Sequence, residues 1–117
     1  TVYELTPNGS GGWTETVLYN FGSGTDGSEP LASLIFDSAG NLYGTTNSGG
    51  TYDYGTVFEL TPNGSGGWTE TVLHNFGSGT DGFWPEANLI FDAAGNLYGT
   101  TVGGGTYQWG TVFEITP

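Results

Sequence analysis

Short runs of aliphatic, aromatic and β-branched residues, each bounded by glycine, asparagine, aspartate or proline, follow one another along the chain. In its middle these runs are 32–37 (ASLIFD), 41–46 (NLYGTT), 56–61 (TVFELT) and 68–76 (WTETVLHNF). No stretch repeats its apolar residues at a helical period, and glycine interrupts every window that is long enough for a helix. Runs of this length and composition are typical of β-strands. The pattern therefore predicts an all-β fold built from short antiparallel strands.

The residues between the runs predict tight turns. Asp37 begins a DSAGN segment, in which an aspartate can cap the turn and a glycine can adopt positive φ. Asn8 and Asn63 each begin an Asn-Gly-Ser segment that matches the N-glycosylation sequon. Because Asn-Gly between two strands is a strong turn signal, we interpret both segments as turns.

The whole pattern returns after 55 residues. TVYELTPNGSGGWTETVLYNF at Thr1 returns as TVFELTPNGSGGWTETVLHNF at Thr56, and TVFEITP begins at Thr111. In TVFELT, alternation predicts Val57 and Glu59 on one face and Phe58 and Leu60 on the other. Such a glycine-rich unit cannot bury much core alone, so copies must stack. Trp13 and Trp68, at the same position in both copies, are predicted to pack in this structure.

Four strands joined by turns within one period form a meander, and repeated meanders with apolar faces are the blades of β-propellers. The chain then divides into a partial blade at 1–31 (third and fourth strands), a complete blade at 32–86, and a partial blade at 87–117 (first to third strands). Both ends leave unpaired strand edges, which are open to pairing with another chain. We therefore expect the blades to be completed by strand exchange between chains, unless the chain is an excerpt of a longer array.

The strands predicted to take part in this assembly are the leading third and fourth strands and the trailing third strand. Two third strands, 1–6 and 111–116, then compete for one place in a completed blade. The residues expected at these contacts are Thr1, Val2, Tyr3, Trp13, Val17, Phe21, Val112, Phe113 and Ile115.

The string LIFDxAGNLYGTTxxGGTYxxGTVFELTPNGSGGWTETVL resembles the GloVer-type tandem repeats of bacterial secreted proteins, most specifically in GNLYGTT and GTVFELTP. The resemblance covers the whole chain and implies a propeller-like exported repeat array, without implying a chemistry. Members of that family usually carry some Lys or Arg, as in a VFKLTP variant. This chain instead has Glu4, Glu59 and Glu114 at that position.

Charge narrows the choice of partners, since the chain has twelve Asp and Glu residues and no Lys or Arg. It has nothing with which to neutralise phosphates or anionic headgroups, so we expect no nucleic acid or anionic membrane partner. No cysteine is present for a disulfide or a thiolate metal site, and no apolar run approaches the length of a membrane span. The acidity favours an extracellular or cell-surface protein. Without a methionine at position 1, the chain is expected to be a processed product or an excerpt.

Catalytic groups are scarce. The lone His74 aligns with Tyr19 of the other copy, so a structural or solvated histidine is favoured over a metal ligand. Only carboxylates are left for acid or base work, and a glycosidase-like pair is the remaining enzymatic alternative. We predict that the protein is not an enzyme and has no cofactor. Calcium is the alternative, with Asp26 and Asp81 in two TDG loops as candidate ligands.

The two copies differ at eleven positions, which are 3, 19, 28, 29, 31, 33, 38, 47, 48, 53 and 54 of the first copy. Eight of these lie in, or directly beside, the loops that a meander places on one edge of the sheets, here called the loop face. The differences indicate either a variable ligand-binding face or drift where change is cheap. Tyr52 belongs to this aromatic and acidic set, and the candidate ligand residues are Asp26, Asp53, Tyr54, Asp81, Trp84, Tyr107 and Trp109.

Two functions remain as hypotheses. The first is a non-enzymatic extracellular module whose partners are copies of itself, assembled into homo-oligomers or filaments. The alternative is a lectin-like propeller that binds glycans on the loop face, because aromatic rings and carboxylates suit the C–H faces and hydroxyl groups of sugars.

Overall fold

A computed structural model describes all of residues 1–117 and contains only β-strands and their connections. The strands are β1 (Val2–Pro7), β2 (Trp13–Tyr19), β3 (Ile35–Phe36), β4 (Leu42–Thr46), β5 (Thr56–Pro62), β6 (Trp68–Asn75), β7 (Ile90–Phe91), β8 (Leu97–Thr100) and β9 (Val112–Ile115). The prediction of an all-β fold with antiparallel strands is confirmed. The structure has no helix that is long and apolar enough to cross a membrane.

The strands form three sheets, in which every pair consists of strands consecutive along the chain. The first sheet is β1–β2, the second is β3–β4–β5–β6, and the third is β7–β8–β9. The same pairing recurs at equivalent positions, as Ile35 opposite Tyr43 in the second sheet and Ile90 opposite Tyr98 in the third. Each sheet is thus a meander without crossover connections.

The first strand of a sheet is shorter than the sequence predicts. Residues 32–37 were expected to be extended, but the ladder in the second sheet covers only Ile35–Phe36. The backbone N–H of Ser33 instead donates to Oδ1 of Asn88 at 2.9 Å. Leu34 packs against the apolar core although it makes no ladder pair. Apolar burial without strand pairing therefore explains the overestimate.

Side-chain hydrogen bonds form the turns. Oδ1 of Asn8 accepts hydrogen bonds from the backbone N–H groups of Ser10 and Gly12, both at 3.0 Å. Asn63 does the same in the second sheet. Oδ1 of Asp37 accepts from the N–H of Asn41 at 2.9 Å, which confirms that this aspartate caps its turn. The Asn-Gly-Ser segments are therefore turns, as predicted.

Two apolar clusters join the sheets face to face. The first contains Val2, Leu42, Phe58 and Leu60 and lies between the first and second sheets. The second contains Val57, Phe76, Leu89 and Leu97 and lies between the second and third sheets. The predicted alternation along β5 is confirmed, since Phe58 and Leu60 enter one cluster and Val57 the other. The second sheet is consequently buried on both faces.

The two tryptophans predicted to be structural have different surroundings. Trp68 packs against the first cluster. Trp13 occupies the same position on β2 but remains 64% exposed, because no sheet precedes the first one to cover this face of β2. Within the chain, therefore, Trp68 packs as predicted and Trp13 does not.

Candidate functional site

Paired backbone bridges connect the loops of the loop face. Ser28 and Ser48 exchange two backbone hydrogen bonds, at 2.8 and 3.2 Å. Phe83 and Gly103 exchange the equivalent pair, at 3.0 and 3.1 Å. The loop that leads into a sheet is thus bonded to the loop between the second and third strands of the same sheet.

The backbone of Trp84 connects the bridged loops of one sheet to those of the next. Its backbone N–H donates to the carbonyl of Tyr54 at 3.0 Å, and its carbonyl accepts from the N–H of Val102 at 3.1 Å. The Phe83 ring lies between the rings of Tyr54 and Trp84, with centroid distances of 5.4 and 4.8 Å. The structure therefore brings together two predicted ligand residues, Tyr54 and Trp84, but their rings already contact protein.

Tyr107 and Trp109 lie in the corresponding loop of the third sheet. Their side chains are 84% and 90% exposed, and no other aromatic ring stacks on either. They are the two most exposed large apolar side chains of the chain. These residues form the accessible part of the predicted aromatic set.

The carboxylate of Asp26, a candidate ligand in a glycine-rich loop, is turned into the structure. Asp26 is only 7% exposed. Its Oδ2 accepts from the Tyr19 hydroxyl at 3.0 Å, and its Oδ1 accepts from the N–H of Gly22 at 3.1 Å. Burial, followed by the hydrogen bond to Asp26, raises the pKa of Tyr19 to about 12. The loop folds back onto the preceding strand, which turns this carboxylate inward.

Asp81 makes the equivalent contacts in the second repeat, with His74 in the place of Tyr19. The distance between His74 Nε2 and Asp81 Oδ2 is 2.9 Å, and the N–H of Gly77 donates to Asp81 Oδ1 at 3.2 Å. The imidazole also packs edge-on against Phe76, with a centroid distance of 4.7 Å. Asp53 accepts a hydrogen bond from the N–H of Gly49 at 3.2 Å. The acidic members of the predicted set are therefore each hydrogen-bonded to their own loop or to the strand before it.

Calcium binding at Asp26 or Asp81 stays a prediction, and the geometry indicates its outcome. No group of three or more Asp, Glu, His or Cys side chains converges in the structure. A bound ion would also have to release the hydrogen bonds of these carboxylates, whereas Ca²⁺ needs six to eight oxygen ligands. We expect excess EDTA to leave the thermal melt unchanged. A lower melting temperature in EDTA that calcium restores would contradict this expectation.

Two of the differences between the repeats compensate each other. Ser28 faces Ser48 across a bridge in the first repeat, and Phe83 faces Gly103 in the second. A Cβ atom on Gly103 would lie 2.2 Å from Cε2 of Phe83, so the larger residue on one loop requires glycine on the other. These two changes are therefore packing adjustments between loops in contact.

Glu70 on β6 is a residue that sequence reasoning missed. Its Oε1 atom is buried and has no hydrogen-bond partner. Burial, and then the nearby Asp26 carboxylate, raise the pKa of Glu70 from 4.5 to about 7. The sequence held no signal for this, because Glu70 and Glu15 are the same residue of the repeat and both read as solvent-facing.

A glutamine at position 70 should remove a pH dependence of stability. Between about pH 4.5 and about pH 7 the folded state keeps a proton that the unfolded state has lost. The free energy of unfolding therefore falls as the pH rises through this range. Above it, Glu70→Gln should be more stable than the parent by about 1 kcal/mol, after allowance for solvent screening.

Urea denaturation of the parent and the variant across this pH range measures the difference. Glu15→Gln is the matched control, since Glu15 is exposed on β2. Identical pH profiles for the parent and Glu70→Gln would contradict the prediction.

The residues predicted to mediate assembly fall into two groups. Val2, Phe21, Phe113 and Ile115 contribute to the apolar clusters within the chain. The exposed group is Thr1, Tyr3, Trp13, Val17 and Val112. Beside β9 runs a groove of about 350 Å³ that is lined by residues of β9 and by His74, Phe76, Thr80 and Asp81. Apolar and hydrogen-bonding surface is thus accessible along the free edge of the third sheet.

Comparison with known proteins assigns the family. A family model described as the Gloeobacter/Verrucomicrobia repeat matches residues 1–117, which is the whole chain. No curated protein and no solved structure matches it. The predicted resemblance to the GloVer-type repeats is confirmed by this match. The chain, with its stacked sheets and recurring loop contacts, therefore belongs to the Gloeobacter/Verrucomicrobia repeat family.

Proposed function

We propose that the protein is a non-enzymatic, extracellular structural module whose sheets are β-propeller blades and whose chains assemble into homo-oligomers or filaments. The observation that carries this proposal is the free edge of β9. In the second sheet, β5 pairs with β6 through Phe58 opposite Val72 and Leu60 opposite Glu70. The third sheet ends at β9 and has no fourth strand.

The strand that fits this edge is present at the other end of the chain. Residues 13–18 of β2 have the same sequence, WTETVL, as residues 68–73 of β6. A β2 strand from a second copy would therefore extend the third sheet in the register of β5 and β6. The groove beside β9 lies along this edge. Its lining by Phe76 and Val112 favours an apolar occupant.

Completing the third sheet in this way leaves one of two equivalent strands, β1 or β9, without a place. β1 already pairs with β2, and β9 already pairs with β8, although both correspond to the third strand of a blade. Only one of them can stand between β8 and the incoming β2, so the other is displaced. A head-to-tail arrangement of this kind closes into a ring with an even number of blades, or continues as an open filament.

The remaining parts of the proposal are supported by chemistry and by family. Twelve acidic residues without any Lys or Arg give a net charge of −12, which suits a secreted protein that must stay dispersed. The carboxylates of Asp26 and Asp81 are used in loop hydrogen bonds, and the lone His74 is bonded to Asp81. These side chains serve the structure, which supports a function without catalysis.

Sedimentation velocity of the 117-residue chain over a range of concentrations tests the assembly. We expect species heavier than the 12.2 kDa chain. Deleting residues 1–7 should leave assembly intact, because residues 111–117 supply the same strand. Deleting residues 1–21 should prevent it, because β2 is then missing. A folded chain that stays monomeric at every concentration would contradict the proposal.

Glycan binding on the loop face is the second candidate, favoured by the exposed rings of Tyr107 and Trp109. A glycan array provides the test. Binding that is lost in a Trp84→Ala/Trp109→Ala variant with an unchanged circular dichroism spectrum would support it. No binding at millimolar sugar would remove it.

A further inference from the structure

The boundary between the second and third sheets shows how one repeat recognises the next. Asn47 on one side donates from Nδ2 to Oε1 of Glu86 on the other, at 3.0 Å. The Tyr54 ring packs near the Phe83 ring and covers Gly77, where a Cβ atom would lie 2.4 Å from Tyr54 Cδ2. We call this set of contacts the internal boundary.

The same period defines an outer boundary, at which a second copy would follow the third sheet. Val102 and Trp109 occupy the positions of Asn47 and Tyr54. On the incoming copy, the positions of Glu86, Phe83 and Gly77 are occupied by Leu31, Ser28 and Gly22, respectively. Each of these residues differs from its internal counterpart, apart from the glycine that lies under the ring. The outer boundary can therefore be compared with the internal one contact by contact.

The first contact changes from polar to apolar on both sides at once. At the internal boundary an amide meets a carboxylate. At the outer boundary Val102 would meet Leu31, and these two side chains are 52% and 63% exposed in the chain. Mixed pairs would place a carboxylate or an amide against an aliphatic group, which costs free energy when water is excluded. Each boundary thus pairs side chains of the same kind, polar at the internal boundary and apolar at the outer one.

At the second contact, one side chain is larger and its partner is smaller than at the internal boundary. Internally, Tyr54 meets the large Phe83. At the outer boundary the larger ring of Trp109 would lie over Gly22 and beside the small Ser28. A larger side chain opposite a smaller one preserves packing, whereas two large ones would overfill the space. The 90% exposed Trp109 would gain a covered surface there.

The third contact pairs an imidazole with carboxylates. Between the first and second sheets, Glu70 lies close enough to Asp26 for that carboxylate to raise its pKa, and Tyr19 donates to Asp26. In the groove beside β9, Glu15 of the incoming copy would occupy the place of Glu70, and the pair of His74 and Asp81 would stand for Tyr19 and Asp26. The imidazole of His74 would then lie beside the carboxylates of Asp81 and Glu15, where the first pair of sheets has the phenol of Tyr19.

We propose that the differences between the two repeats encode a head-to-tail contact between chains, in which the surface of His74, Val102 and Trp109 receives Glu15, Gly22, Ser28 and Leu31 of a second copy. This inference rests on the proposed self-assembly and adds its partner, its direction and its register. It also accounts for loop-face differences at residues that make no contact across the internal boundary, such as Leu31 and Trp109.

A rescue experiment tests the pairing by sedimentation velocity. Leu31→Glu and Val102→Asn should each weaken association, the former roughly tenfold, because a hydrogen-bonding group is then left without a partner. The double variant recreates the pair of Asn47 and Glu86, so it should recover most of the lost affinity. Equal association of the parent and both single variants would overturn the inference.

Trp109→Ala gives an independent measurement, with Tyr54→Ala as its matched control. Loss of the Trp109 ring should weaken association by roughly tenfold or more and leave the melting temperature of the dilute chain unchanged. Loss of the Tyr54 ring should lower that melting temperature, since Tyr54 packs within the chain. The inference fails if Trp109→Ala lowers the melting temperature but not the affinity.

A mixture of two variants tests the head-to-tail direction of the contact. A Leu31→Glu chain keeps an intact Val102 surface, and a Val102→Glu chain keeps an intact Leu31 surface, so an equimolar mixture should form dimers but no longer species. Failure of the parent chain to associate at all would contradict the proposed self-assembly. If the parent associates and all these variants associate equally well, only the proposed pairing of residues is contradicted.

Discussion

Replacing Phe58 with alanine should lower the free energy of unfolding by about 3–5 kcal/mol, which for a domain of this size removes much of its stability. Phe58 is fully buried, and its ring centroid lies 4.9 Å from that of Phe21, which directly follows β2 of the neighbouring sheet. The ring therefore connects two sheets, and its loss would leave a cavity that neither sheet can close alone. Urea denaturation followed by circular dichroism measures the change.

Tyr3→Ala is the matched control, because Tyr3 holds the position of Phe58 in the first sheet and is 55% exposed. We expect this variant to lose about 1 kcal/mol or less. Similar losses in the two variants would show that burial between sheets is not the source of stability.

Gly55→Ala should destabilise the chain by about 2–5 kcal/mol, from a strained backbone and a steric clash together. Gly55 has φ +96°, and a Cβ atom there would lie 2.3 Å from the carbonyl oxygen of Thr46. The backbone cannot shift freely, because the carbonyl of Gly55 accepts a hydrogen bond from the N–H of Phe76 at 3.0 Å. Thermal and urea denaturation give the size of the loss.

Gly64→Ala separates the two causes. Gly64 has φ +77° and no atom within 4 Å of a Cβ position, so only backbone strain of about 1–2 kcal/mol is expected. If both alanine variants lose the same amount, the clash at Gly55 contributes nothing.

Strand composition and turn chemistry were sufficient to predict the all-β class and the antiparallel strands. β5 and β6 were predicted nearly to their ends, because β-branched and aromatic residues alternate there between clear turn signals. The first strands were overestimated, since the apolar Leu34 is buried by the neighbouring sheet without joining a ladder. Local patterns report burial, but they do not distinguish a paired strand from an unpaired apolar segment.

The candidate site was harder to predict because its contacts are not local. Asp26 reads as an exposed loop residue, yet its carboxylate bonds with Tyr19 on the preceding strand. Glu70 reads as a solvent-facing residue of a strand, and only the stacking of sheets buries it. The aromatic residues Tyr107 and Trp109 were predicted on the loop face and are exposed, since no following sheet covers their loop.

The joined loops of neighbouring repeats also bear on how the gene can change in length. Unequal recombination between the stretches that encode the two identical TPNGSGG segments would add or remove whole repeats in frame. Adding one repeat would set Tyr54 beside Ser28 or Trp109 beside Phe83, whereas adding two preserves the existing contact of Tyr54 with Phe83. Selection should therefore favour the gain or loss of repeats in pairs over the gain or loss of single repeats.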